Sequence, residues 1–113
     1  MPKEMSVAVP LNELAEGTMR ACMAGGREIV VCRTKDGVYA LDNICTHAHA
    51  RLNEGRLRGT RLICPLHGAS FDIRDGRALA APATRPLAVH AVAMHGDRIE
   101  ISVTPLDAGK VTL

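Results

Sequence analysis

Residues 43–68 read NICTHAHARLNEGRLRGTRLICPLHG, and they interrupt a chain otherwise punctuated as an all-β domain. Within them stand two short segments, Cys45-Thr46-His47 and Cys64-Pro65-Leu66-His67, separated by sixteen residues. Each offers one sulfur and one imidazole, a donor set that selects zinc, copper or iron–sulfur chemistry. The spacings, C-x-H and then C-x2-H, let both side chains of a segment converge on one centre. The interleaved order differs from that of a Cys2His2 zinc finger, which sets its cysteines together and carries its histidines on a helix. No helical period surrounds His47 or His67.

Outward from this stretch the signals are those of hairpins. Gly25-Gly26, Asp36-Gly37, Asp75-Gly76 and Gly96-Asp97 are dipeptides that supply the positive φ of tight turns. Apolar or β-branched runs flank them: Ile29 to Cys32, Val38 to Leu41, Ser70 to Ile73, Val89 to Met94, and the alternating Ile99 to Val103. If Gly25-Gly26 is a two-residue turn, Cys22 pairs with Ile29 and Met19 with Cys32. Cys22 and Cys32 then face opposite sides of their hairpin and cannot bridge. Leu11 to Glu16 has the length of one helical turn, with Asn12 as its cap.

The chain of 113 residues suits one domain, 1–113, with a single core. Apolar residues make up 47% and charged residues 23%, a globular composition. A net charge of +2 does not point to nucleic acid, and one Tyr, one Phe and no Trp leave no stacking platform for single strands. No apolar run approaches the roughly 18 residues of a membrane span. Met1 to Ser6 lacks the apolar core of a signal peptide, so the expected location is the cytoplasm. There, cysteines serve as thiols or metal ligands rather than disulfides.

The pair C-T-H and C-P-L-H resembles the ligand pattern of Rieske-type [2Fe–2S] proteins. The resemblance extends through Gly37 to Ile44 before the first segment, through Gly68, Phe71-Asp72 and Asp75-Gly76 after the second, and to a proline-bearing stretch from Pro82 to Leu87. It spans about residues 5 to 103. It implies an antiparallel β-sandwich with a small cluster-binding subdomain inserted between strands, at about 43–68, and a cover loop at about 80–87. It also implies one [2Fe–2S] cluster per chain, with Cys45 and Cys64 on one iron and His47 and His67 on the other. Leu66 would shield the cluster.

Four absences narrow the subtype. The extra cysteines that form a disulfide in respiratory and photosynthetic Rieske proteins are replaced by Ala50 and Leu66. The Ser and Tyr hydroxyls that raise the potential are replaced by Ala69 and Phe71. Neither a membrane anchor nor an oxygenase catalytic domain is expected. The pattern is closest to the ferredoxin components of multicomponent aromatic-ring-hydroxylating dioxygenases. Such a protein carries single electrons from a flavin-dependent reductase to the Rieske centre of a terminal oxygenase, without being an enzyme by itself. A low potential, near about −150 mV, is expected. The expected partners are that reductase and that oxygenase, with no nucleic acid or membrane, for a chain acting as a monomer. The alternatives are a Rieske-like small subunit of an assimilatory nitrite reductase and a zinc-stabilised interaction domain.

Other residues have plainer readings. His49 competes with His47, but the C-x-H spacing favours His47. Cys22 and Cys32 read as buried small hydrophobes. His90 and His95 read as ordinary strand and turn residues. Arg51, Arg56, Arg58 and Arg61 crowd the stretch between the ligand segments with only Glu54 opposing. They form either a solvated face or a docking rim for acidic partners.

Overall fold

The computed structural model describes residues 5–46, 50–66, 68–81 and 85–103. The strands are β1 (Met5–Pro10), β2 (Thr18–Ala24), β3 (Arg27–Thr34), β4 (Gly37–Asp42), β5 (Arg56–Arg58), β6 (Arg61–Ile63), β7 (Ser70–Asp72), β8 (Ala78–Ala80), β9 (Val89–His95) and β10 (Arg98–Val103). They form two antiparallel sheets, ordered β1-β10-β9-β4-β3-β2 and β5-β6-β7-β8. Among the described residues there is no α-helix, only 3-10 turns at Leu11–Glu13 and Leu52–Glu54.

The diglycine hairpin forms as its sequence requires. Gly25 and Gly26 take φ of 57° and 79°, and Met19 pairs with Cys32 and Cys22 with Ile29. Gly96, at φ 64°, turns β9 into β10 with His95 opposite Arg98. The Asp36-Gly37 expectation is off by one residue. Thr34 and Gly37 pair across the ladder, so Lys35 and Asp36 make the turn. The Thr34 hydroxyl accepts from the Asp36 N–H at 3.1 Å, and Gly37 begins β4. Asp75-Gly76 is likewise not a two-residue turn but part of the longer connection from β7 to β8. The Leu11–Glu13 turn has Pro10 at its cap position and no side-chain capping bond, so Asn12 sits inside the turn rather than capping it. β1 carries no turn signal of its own. It is held by the full length of β10, Met5 opposite Val103 to Pro10 opposite Arg98.

The central hairpin β3–β4 is covered on both faces. Ile29, Val31 and Ala40 join Val9, Ile99, Ile101 and Val103 in one core. Val30, Cys32 and Leu41 face a second core with Leu52, Leu62, Phe71, Ile73 and Leu87. This explains why residues 29–32 read as one continuous apolar run: a strand buried on both faces has no polar side to show. Each of the fully buried aliphatic side chains Ile29, Val30 and Val31 stabilises the fold by about 1.5–3 kcal/mol. The second core joins the four-stranded sheet to the rest, and both Cys45 and Cys64 belong to it.

Candidate metal centre

The two cysteine segments are built alike. Cys45 follows β4, and its N–H donates to the carbonyl of Ala50 at 3.0 Å. Cys64 follows β6, and its N–H donates to the carbonyl of Ala69 at 2.7 Å. Each cysteine therefore opens a loop closed by a backbone bond to the fifth residue after it. An Ile44–Arg51 bridge extends the first closure, and the Ile63–Ser70 ladder pair extends the second. In sequence, His47 falls inside the first loop and His67 inside the second. Both histidines, and His49, lie outside the described residues.

Both thiols are buried, each residue at 3% exposure, and they are hydrogen-bond neighbours. Burial pushes the Cys64 thiol up, the Leu66 N–H at 3.5 Å pulls it down, and the Cys45 sulfur beside it pushes it up again. Buried with a second sulfur beside it, the Cys64 sulfur is an unfavourable site for negative charge unless a cation shares it. A soft metal centre is the partner this donor pair fits. Among the described residues no group of three His, Cys, Asp or Glu side chains assembles, so the rest of a ligand set must come from elsewhere.

The frame around the thiols is held by polar pairs that sequence reading did not find. Asn43 is fully buried. Its amide donates to Asn53 Oδ1 at 2.7 Å, its Oδ1 accepts from the Asn53 N–H at 2.8 Å, and its carbonyl accepts from the Leu52 N–H at 2.7 Å. These bonds return the chain after the first loop. Gly55 then passes so close to β6 that a Cβ would stand 1.9 Å from the Ile63 carbonyl oxygen, one residue before Cys64. A third segment crosses the first loop. The Thr46 hydroxyl donates to the Arg85 carbonyl at 2.8 Å, and Arg85 Nη2 donates back to the Thr46 carbonyl at 3.3 Å. Leu87 anchors that segment in the core, and its N–H donates to Gly76 at 2.8 Å. Of the expected cover loop, 82–84 lie outside the described residues.

Ala69 and Phe71 are fully buried and offer no hydroxyl, while the Ser70 hydroxyl accepts from Arg61 Nη1 at 3.0 Å. Leu66 is 46% exposed, so its side chain stands largely in solvent beside Cys64. Cys22 packs against the other core, and Cys32 is enclosed, its thiol pushed up to about 12 by burial. All four cysteines are free of disulfides. His90 bonds Asp42 Oδ1 at 2.8 Å, and Arg27 bonds the same carboxylate at 2.9 Å. Burial alone would raise the Asp42 carboxyl, but His90 and Arg27 together hold it below its usual range. Arg51 does not stand opposed by Glu54 alone: its Nε donates to Glu28 of β3 at 2.7 Å.

Comparison with known proteins agrees with this geometry. The Rieske [2Fe–2S] domain family matches residues 4–92. The ferredoxin component of the naphthalene 1,2-dioxygenase system of Pseudomonas aeruginosa is 38% identical over 97 residues, 86% of this chain and 93% of that protein. The ferredoxin of carbazole 1,9a-dioxygenase from Nocardioides aromaticivorans IC177 superposes with a TM-score of 0.80 at 33% identity, over 89% of this chain and 96% of that one. A chain from the complex of reduced oxygenase and oxidized ferredoxin in carbazole 1,9a-dioxygenase gives 0.82 at 30% identity, over 88% and 94%.

Proposed function

The chain belongs to the Rieske [2Fe–2S] family, and from that premise we propose that it is the electron-carrying ferredoxin component of a ring-hydroxylating dioxygenase system. It serves a terminal oxygenase and is not an enzyme alone. Its reductant is a flavin-dependent reductase. The cluster, one per chain, is held by Cys45 and Cys64 on one iron and by His47 and His67 on the other. When bound, it supplies a one-electron couple.

The observation that carries this reading is the pair of matched loops. Each is closed five residues after its cysteine, and together they bring two buried thiols side by side. The sulfurs come from the ends of strands packed on one core, so the ligand frame is rigid. Thr46 and Arg85 tie a further segment over it. With Ala69 and Phe71 in place of hydroxyl donors, fewer hydrogen bonds stabilise a reduced cluster, which places its potential low, near about −150 mV. The whole chain, 1–113, acts as one Rieske domain. The ligand subdomain is set at about 43–68 and the cover loop at about 80–87. The protein acts as a cytoplasmic monomer. Among the described residues no helix is long and apolar enough to cross a membrane.

The test is a reconstituted chain of NADH, flavin reductase, this protein and the terminal oxygenase of a naphthalene dioxygenase system. The expected result is dihydroxylated product that depends on this protein and is lost in Cys45→Ser. Cluster-loaded protein that accepts electrons from the reductase but passes none to the oxygenase would overturn the reading.

A further inference from the structure

The four arginines between the ligand segments do not act as one group. Arg51 is neutralised by Glu28. The other three lie on the β5–β6 hairpin, whose register puts Arg56 opposite Ile63 and Arg58 opposite Arg61. Residues directly opposite, and residues two apart on one strand, share a face. Arg56, Arg58 and Arg61 therefore stand together on the outer face of the small sheet, with Leu57 and Leu62 turned to the core. All three are exposed. Among the described residues neither Arg56 nor Arg58 has an ion pair or a hydrogen bond through its side chain. Arg61 also stands opposite Asp72 of β7 and bonds the Ser70 hydroxyl, so the uncompensated charge of this face is that of Arg56 and Arg58, and like charges facing each other, as Arg58 faces Arg61, destabilise a ladder.

Its position gives it a use. Arg56 pairs with the residue immediately before Cys64, and Arg56, Glu54, Ile63, Cys64 and Pro65 line one hollow. The arginine face thus begins at the edge of the ligand loop, next to the exposed Pro65 and Leu66. We propose that Arg56, Arg58 and Arg61 form a docking ridge for the terminal oxygenase, through carboxylates around its own centre, seating it against the Cys64 loop. This rests on the electron-carrier reading above. Attraction of this kind acts over about 30 Å at 0.01 M salt and about 8 Å at 0.15 M, so it steers encounter and fades as salt rises.

The experiment follows oxidation of the dithionite-reduced protein by stopped flow. It uses ferricyanide, tris(phenanthroline)cobalt(III) and the naphthalene-type terminal oxygenase, for the wild type, Arg56→Gln/Arg58→Gln, and the single variants Arg56→Gln and Arg98→Gln. Arg98 carries the same charge at the start of β10, beyond the Gly96 turn and about 20 Å along β9 from Val89, so it controls for net charge. Cluster absorbance reports that each variant is intact. For the double variant the expected result is a rate with ferricyanide about threefold to tenfold lower at low ionic strength, with a flatter salt dependence. The cationic oxidant should show the opposite change, and the oxygenase a loss parallel to that of ferricyanide. Arg56→Gln should exceed Arg98→Gln. Equal effects of those two single variants, or an oxygenase rate untouched while the ferricyanide rate falls, would overturn the proposal. A wild type that reacts with ferricyanide but never with the oxygenase would instead refute the functional reading, while the ferricyanide arm still decides whether the ridge gathers anionic surfaces.

Discussion

Replacing Gly55 by alanine sets a Cβ 1.9 Å from the Ile63 carbonyl oxygen and 3.1 Å from both the Ile63 carbonyl carbon and the Pro65 nitrogen. Relief requires the two backbones to part by about 1 Å. Neither is free to move. The Gly55 N–H is bonded to Leu52 at 2.9 Å, Arg56 is in register with Ile63, and Ile63 leads directly into Cys64. Overpacking of side chains alone costs roughly 1–3 kcal/mol, and here the obstacle is backbone, so about 3 kcal/mol or more is expected. Gly59 supplies the comparison. It sits at φ +59° with nothing within 4 Å of a built Cβ, so Gly59→Ala meets only the left-handed penalty of about 1–2 kcal/mol. Urea unfolding followed by circular dichroism, together with visible absorbance per chain, separates the two. Gly55→Ala should be the less stable variant and should lose visible absorbance because the Cys64 loop is displaced. Gly59→Ala should keep its absorbance. If Gly55→Ala is loaded like the wild type and no less stable than Gly59→Ala, the close approach of the two loop-bearing segments does not hold the site.

Asp72 is buried against Arg74 and Arg77, and hydrogen bonding from Arg74 holds its carboxyl down at about 2. A depressed carboxyl stabilises the fold above its unfolded value near 3.8, and that contribution is lost as pH falls through about 2. Asp72→Asn should therefore cost about 1–2 kcal/mol in urea unfolding at pH 7, less than the full linkage value because both arginines are solvated. The gap should hold down to about pH 4 and shrink below it; a gap that widens on acidification contradicts the assignment. Thr46→Val removes the hydroxyl that ties Arg85 and should cost about 1 kcal/mol. If residues 85–87 cover the site, visible absorbance should also bleach faster in air, and an unchanged bleaching rate would deny Thr46 that role. Cys32→Ser puts a hydroxyl into a fully enclosed position and should lower stability by about 1–3 kcal/mol with iron content unchanged; loss of iron in a folded variant would mean that Cys32 is a ligand.

How much of this was legible in the sequence depends on whether a feature is local. The Gly25-Gly26 turn specified the register of β2 and β3 because only glycine accepts two successive positive φ values at no steric cost. The two cysteines were legible from spacing, and their loops close as matched five-residue returns. The second turn was misplaced because the Thr34 hydroxyl, not a glycine, organises it. β5 and β6, three residues each, were invisible because Arg-Leu-Arg and Arg-Leu-Ile are too short for alternation to register, and their pairing is decided by the core beneath Leu57 and Leu62. Arg51 looked available because its partner, Glu28, is 23 positions away on β3. The Asn43–Asn53 and Thr46–Arg85 pairs were unreadable for the same reason: polar groups that meet only after folding leave no periodic trace.

EPR of the dithionite-reduced protein, with histidine nitrogens labelled and iron counted in the same sample, is the decisive measurement. One unpaired spin for about two iron atoms per chain is expected, coupled to two imidazole nitrogens, with loss of both couplings when His47 and His67 are replaced together. A spin-silent protein that carries a single zinc would contradict the Rieske ligand set, and so would a reduced cluster with no imidazole coupling.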